Sequence, residues 1–233
     1  MGGTPMTTAE SDYIRTLTSV HADPGVYEPQ EDSLLLCDIA ATTGIVPGAR
    51  VLDMCTGSGA VAITAALLGA REVVAFDIAP RAVDCAQRNA RSVGVEVDVR
   101  VGSLAEAAEL ESFDVVLCNP PYVPSEVMPT GMGLHRAWDA GEDGRMVLDP
   151  LCRAAASLLV PGGVLLVVHS EFSGPRRTVG MLADSGLSVM EVSRHIIDFG
   201  PVMHRRAEWL EARGVLAPGR RTEELVVVRG DKR

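Results

Sequence analysis

The chain has 233 residues, 47% of them apolar, and carries 31 acidic against 21 basic side chains for a formal charge of −10. That length buries a full core without disulfides or metals, and the apolar share excludes a disordered chain. A duplex-binding protein shows a basic footprint; here the arginine pairs 176–177, 205–206 and 220–221 stand isolated, which weighs against nucleic acid as a partner.

No apolar run nears the roughly 18 residues of a membrane span, and residues 1–12 are polar, without the apolar stretch of a signal peptide. Five scattered cysteines with no Cys-x-x-Cys pair read as small core residues in a reducing, cytoplasmic setting. The five histidines show no metal-ligand spacing, so no metal is expected.

In chain order, amphipathic stretches at 13–17 and 30–41 precede the first strand and are placed to roof a ligand edge. Residues 50–54 read as a short apolar strand and 60–68 as a small-residue helix. A second strand at 72–77 is followed by a helix from Pro80 to about 93, with proline at a position where the missing N–H costs little. Alternation predicts a third strand at 95–101, and the run 113–118 a fourth. A helix at 144–160 is expected to stop before Pro161-Gly162-Gly163, with a fifth strand at 164–169 and a helix at 175–185. Two last strands, 187–197 and 224–229, flank a connection with a helix around 204–213. The alternation predicts an α/β fold: a seven-stranded, mostly parallel sheet with helices on both faces and a C-terminal antiparallel hairpin. One domain, 1–233, is expected, with 1–49 as a helical cap and substrate edge and 50–233 as the core.

The chemistry-bearing motifs fall at strand ends, where such sheets bind ligands. After the first strand comes Asp53-Met54-Cys55-Thr56-Gly57-Ser58-Gly59, whose glycines allow a tight turn and close approach of a ligand. Asp77 ends the second strand, where an acid grips ribose hydroxyls. The G-x-G-x-x-G of dinucleotide sites is absent, because Val61-Ala62 follow Gly59. Asp53, placed before the glycines, suits an ammonium group better than a pyrophosphate. The fourth strand ends on Asn119-Pro120-Pro121-Tyr122. An amide oxygen, a proline carbonyl and an aromatic face together suit a planar –NH2 group.

With Tyr27-Glu28-Pro29-Gln30-Glu31-Asp32-Ser33, the 53–59 loop, Asp77 and Asn119-Pro120-Pro121-Tyr122 in line, the chain resembles the HemK/PrmC family over about residues 20–230. The segment Ala137-Trp138-Asp139-Ala140-Gly141-Glu142-Asp143-Gly144 sharpens the resemblance, since Asn-Pro-Pro-Tyr alone also occurs in amino-directed DNA and RNA methyltransferases. The resemblance implies a Rossmann-like class I methyltransferase fold and S-adenosyl-L-methionine as donor, with S-adenosyl-L-homocysteine as product. The implied acceptor is a glutamine side-chain amide, as in release factors. Alternatives are a small-molecule N-methyltransferase and, against the charge, an amino-directed DNA or RNA methyltransferase acting on adenine N6 or guanine N2. The chain looks most like the short branch, because about 49 residues before the first strand are too few for the helical recognition domain of longer relatives. Relatives in that branch work with a small zinc-containing activator, and the edge around 95–101 is one place for it.

Residue by residue, the resemblance implies that Asp53, Gly57 and Gly59 cradle the methionine part of the cofactor, with Ser33 lining that end. Asp77 would bind the ribose, and Ser103 and Leu104 would sit by the adenine. Asn119, which also borders the cofactor, would hold the acceptor nitrogen with Pro120, and Tyr122 would pack on the amide plane. Two positions depart from the family pattern. Cys55 replaces a glycine, so its backbone is expected to be less extreme. Ser103 replaces an aspartate, which predicts weaker cofactor binding unless backbone groups near Leu104 compensate. Residues 125–145 read as a lid, with Trp138 as a packing anchor.

Overall fold

The computed structural model of the protein describes residues 20–128, 131 and 133–233. The stretch expected at 13–17 lies outside them. Helix α1 (Glu31–Thr42) precedes β1 (Arg50–Met54), α2 (Ala60–Leu67), β2 (Glu72–Asp77), α3 (Pro80–Val93) and β3 (Asp98–Val101). Then follow α4 (Leu104–Ala107), β4 (Phe113–Cys118), α5 (Leu148–Leu158), β5 (Leu159–Ser170) and α6 (Pro175–Asp184). The described chain closes with β6 (Leu187–Asp198), α7 (Pro201–Ala212) and β7 (Thr222–Lys232).

The seven strands form one sheet in the order β3-β2-β1-β4-β5-β7-β6. The first five run parallel; β7 inserts antiparallel between β5 and β6, completing the expected hairpin. The central strands are apolar at consecutive positions because both faces are covered. Val51, Ala75, Leu117 and Leu166 face the side of α1, α2 and α3. Their neighbours Leu52, Phe76, Val116 and Leu165 face the side of α5 and α6. Leu36, Leu52, Leu117 and Leu166 are essentially fully buried; each such side chain contributes about 1.5–3 kcal/mol.

Three local expectations change. The third strand begins at Asp98, because its ladder to β2 starts only at the Val74 pair, although Val95 and Val97 already pack on the core. Pro161-Gly162-Gly163 lie inside β5 instead of after a helix: Phe113 pairs with Leu159, and the register shifts before Val115 meets Val164. Helix α4 was not foreseen, although Ser103 and Glu106 form the capping box that starts it.

The strand order reverses between β1 and β4, which opens a crevice beyond their carboxyl ends. The first turn of α1 lines it, while Leu36 and Ala40 further along pack on the sheet. Helix α7 builds a separate small cluster of Phe199, Met203, Leu210 and Leu216 around Val123, just past the Asn-Pro-Pro-Tyr exit.

Candidate active site

The crevice is a cleft of about 1020 Å³. Of the residues singled out from sequence, Ser33, Gly57, Asp77, Ser103, Leu104, Asn119, Pro120 and Tyr122 line it. Asp53 and Gly59 stand behind its wall. Asp53 is buried and accepts the Thr56 hydroxyl at 2.6 Å. Burial pushes its carboxyl up to about 7, opposed by the bonds from Thr56 and the Ala62 backbone. Gly59 has φ +89°, and a Cβ there would lie 2.9 Å from the Ala86 Cβ, so the turn and the close approach of α3 demand glycine.

Gly57 is different, because a Cβ there would meet nothing closer than 3.8 Å. Its N–H donates to Asp77 Oδ2 at 3.0 Å, while Asp77 Oδ1 accepts the Ala79 N–H at 2.9 Å. Asp77 therefore ties the glycine loop to the start of α3, and burial raises its pKa. A carboxylate has about four lone-pair sites, so this one retains acceptor capacity for hydroxyls in the cleft. Ser103 is engaged elsewhere: its oxygen caps α4 by accepting the Ala105 N–H at 3.2 Å, and its hydroxyl donates to Glu106 at 2.6 Å. Its donor is taken by Glu106 and one lone pair by the cap, which leaves one lone pair to accept from a ligand.

Cys55 corrects an expectation. Its φ is +63°, so it occupies the left-handed region despite its side chain, alone among described non-glycine residues. The Thr56 N–H bond to the Phe76 carbonyl and the Asp53–Thr56 bond fix the turn and override the preference. The left-handed conformation costs a non-glycine residue about 1–2 kcal/mol, and glycine adds back about 0.4–1 kcal/mol of unfolded-chain entropy. Cys55→Gly should thus be neutral or up to about 1 kcal/mol stabilising, whereas β-branched Cys55→Val should destabilise clearly. Urea unfolding of the two variants checks the order; a glycine variant less stable than the valine one would contradict it.

On the opposite wall, Asn119 Nδ2 donates to Ser33 Oγ at 3.1 Å. That bond assigns the amide orientation and leaves the acceptor oxygen Oδ1 as the end offered to a ligand. Ser33 thus positions Asn119, a role the sequence reading did not give it. Behind both lies Asp32, quoted in the motif but assigned nothing. Asp32 Oδ2 accepts the hydroxyls of Tyr27 at 3.0 Å and Tyr122 at 2.9 Å, and Oδ1 accepts the Ser33 N–H at 2.6 Å. Burial first, and the Asp32 charge next, raise both tyrosine pKa values, so both hydroxyls stay neutral donors. Tyr122 is held by its hydroxyl as well as by its ring.

The segment expected as a lid is fastened over part of its length. Val123 N–H donates to the Trp138 carbonyl at 2.8 Å, and Ala140 N–H returns to the Val123 carbonyl at 3.0 Å. Arg206 of α7 pairs with Asp139 at 3.0 Å. Trp138 lines the cleft and packs on the α7 cluster. Gly144 (φ +70°) lies against the Tyr122 backbone, where an added Cβ would come within 2.3 Å of the carbonyl oxygen.

His169, at the end of β5, is fully buried; its Nδ1–H donates to the Ser170 carbonyl at 2.9 Å. Burial pushes its pKa down to about 4 from an ordinary 6.5. A depressed folded pKa gives stability that is present above the unfolded pKa and lost as pH falls through the folded one. Between about pH 6.5 and 4 the protein should lose on the order of 3 kcal/mol from this residue. His169→Gln should flatten that part of a stability-against-pH curve measured by chemical unfolding; an unchanged slope would contradict the assignment.

The doubly covered sheet with this strand order, with a glycine turn and an acid at its ligand edge, places the chain among the class I methyltransferases, and Asn-Pro-Pro-Tyr at the same edge narrows it to the nitrogen-directed ones. The family model described as ribosomal protein L11 methyltransferase matches residues 35–120. A Methanocaldococcus jannaschii protein that carries the provisional name protein N5-glutamine methyltransferase is 35% identical over 77% of this chain and 90% of its own length. The Homo sapiens methyltransferase HEMK2 is 31% identical over 70% of this chain and 79% of its own. The chain belongs to the HemK/PrmC family and is a methyltransferase. The Rhodospirillum rubrum release factor glutamine methyltransferase is 36% identical over 72% of this chain but only 53% of its own, so the chain spans about half the length of that enzyme. Among solved structures, the E. cuniculi Mtq2–Trm112 complex, described as responsible for methylating the termination factor eRF1, superposes with TM-score 0.61 and 24% identity over 90% of this chain and 99% of the other. Its likeness establishes the fold.

Proposed function

We propose that the protein is an S-adenosyl-L-methionine-dependent N-methyltransferase that modifies the side-chain amide of a protein glutamine, with the whole chain acting as one domain. The observation that carries this reading is the Asn119 amide, whose nitrogen is held by Ser33 so that its oxygen stays free to accept, on the cleft that Gly57 and Asp77 also line. The residues fit the cofactor. Gly57 adds no side chain to the cleft wall, Asp77 keeps acceptor capacity for ribose hydroxyls, and Ile78 and Leu104 supply apolar surface for a ring. Asp53 and Gly59 would shape the loop from behind.

S-adenosylmethionine, when bound, supplies an electrophilic methyl group. The amide nitrogen that must take it is a poor nucleophile, because its lone pair is delocalised. Asn119 Oδ1 and the Pro120 carbonyl each accept one N–H, which turns the lone pair toward the donor. These bonds strengthen as the nitrogen gains positive charge, so they favour the transition state, and the methylated nitrogen then releases one of its two protons, now strongly acidic, to water. Pro121 keeps Pro120 extended, and Asp32 holds Tyr122 beside the amide plane. Fixed geometry supplies much of the rate.

A release-factor-like protein is the acceptor this reading favours, by analogy with the E. cuniculi complex and the R. rubrum enzyme. A small activator subunit, as in that complex, would find an edge strand in β3, where Val101 is half exposed. Nucleic acid fits poorly with the charge of −10. No helix among the described residues is long and apolar enough to cross a membrane. The buried thiols of Cys37, Cys85, Cys118 and Cys152 suit a cytoplasmic location. The test is transfer of labelled methyl from S-adenosylmethionine into a cell lysate, followed by separation of protein, nucleic acid and small molecules. Label should appear in protein; label confined to RNA or DNA overturns the reading.

A further inference from the structure

Glu223 is the second residue of β7, at the ligand edge, opposite Ile197 of β6. It is 4% exposed and forms part of the cleft wall. The Ser170 hydroxyl meets its carboxylate, yet Oε2 is buried with no hydrogen-bond partner. A buried polar atom left unpaired is unfavourable; Oε2 is closed off from the cleft, so the Glu223 side chain must turn toward the cleft for a ligand atom to complete the set.

The charged and titratable groups facing Glu223 come from several elements. Asp32 belongs to α1, Tyr27 precedes it, Tyr122 follows β4, Glu171 follows β5, and Arg220 precedes β7. None of them satisfies Oε2. Arg220 bonds Glu171, and both tyrosines donate to Asp32. Burial, with the Asp32 and Glu171 charges adding to it and Ser170 and Arg220 opposing, pushes the Glu223 carboxyl up to about 7. A large share therefore carries a proton at neutral pH, and a protonated carboxyl is a donor.

A primary amide whose two N–H groups are held by Asn119 and Pro120 has one polar atom left, its carbonyl oxygen, which needs a donor. The hydroxyls of Tyr27, Tyr122 and Ser33 are directed at Asp32. We propose that protonated Glu223 donates a hydrogen bond to the carbonyl oxygen of the acceptor amide and thereby selects amides over amines. The proposal rests on the glutamine reading above. An amine offers no oxygen and leaves the Glu223 proton unpaired, and a site that loses such a pair discriminates strongly.

The test measures KM and kcat for a purified release factor on both sides of neutral pH. In the wild type, KM should rise above neutrality, approaching tenfold per pH unit as the donor is lost, with kcat held or raised, because a donor on the carbonyl oxygen draws the nitrogen lone pair further into the amide. Glu223→Gln keeps a donor of the same shape and should hold KM low and flat. Glu223→Ala should raise KM at every pH. A Glu223→Gln curve that follows the wild type overturns the proposal. So does a Glu223→Gln KM as high as that of Glu223→Ala while S-adenosylhomocysteine affinity is intact. If the wild type labels no release factor, the glutamine reading fails instead. Glu223 is then read without turnover, by adding N-acetylglutamine amide to the wild type saturated with S-adenosylhomocysteine and carrying ¹³C-carboxyl glutamate. A shift of the Glu223 signal supports the contact, and an unmoved signal overturns it.

Discussion

Asn119→Ala is expected to lower methyl transfer by about 10²–10³, the loss seen when one positioned hydrogen-bonding group at a reacting centre is removed. The substitution deletes the oxygen that meets the acceptor N–H and grows toward the transition state. It should leave S-adenosylhomocysteine affinity within a few-fold, because Gly57 and Asp77 stand across the cleft and bond each other without it. Ser33→Ala should be milder, since it removes the hydroxyl that aims the amide and bonds Asp32 but leaves the Asn119 oxygen in place. Label transfer and calorimetric titration of the two variants separate these effects. Near wild-type turnover in Asn119→Ala would remove the mechanism, and a parallel collapse of cofactor affinity would move Asn119 to a binding role.

Gly144→Ala is the second large effect. The residue has φ +70°, and the added Cβ would lie 2.3 Å from the Tyr122 carbonyl oxygen and 3.2 Å from the Ser173 Cβ. Backbone on one side cannot rotate away as a side chain would. The left-handed penalty and the overlap together should destabilise by roughly 2–4 kcal/mol, a fall in Tm of order 5–15 °C for a domain of this size. The displaced Tyr122 also disturbs its bond to Asp32, so activity should fall further than stability alone accounts for. Gly174→Ala is the control: φ is +73°, but the nearest atoms to its Cβ lie at 3.8 and 3.9 Å. It should cost only about 1–2 kcal/mol and retain activity. Equal effects of the two would contradict the proposed clash.

The strands were readable because burial on both faces writes itself as consecutive apolar residues, as in 51–52, 73–76 and 164–168. The Asn-Pro-Pro-Tyr and glycine turns were readable because they sit at strand ends, where the fold gathers ligands. Long-range pairing was less legible. Pro161-Gly162-Gly163 read as a stop because local punctuation does not show that Phe113 pairs with Leu159. The role of Asp32 depends on Tyr122, 90 residues away, and that of Glu223 on β7 threading between β5 and β6. Cys55 was misjudged because local preference points away from positive φ, while the hydrogen bonds of Thr56 enforce it. Ser103-x-x-Glu106 is a local capping signal, but the helix it starts is only four residues long and carries too little periodicity to read.

The most direct test asks which nitrogen takes the methyl group. Protein labelled by the wild type with S-adenosyl-[methyl-³H]methionine is hydrolysed in acid. A methyl group on a side-chain amide leaves as volatile methylamine when the amide is cleaved, whereas one on an amine stays with its amino acid. The account predicts label recovered as methylamine, absent when Asn119→Ala replaces the wild type. Label retained on a basic amino acid, or carried by nucleic acid, would contradict it.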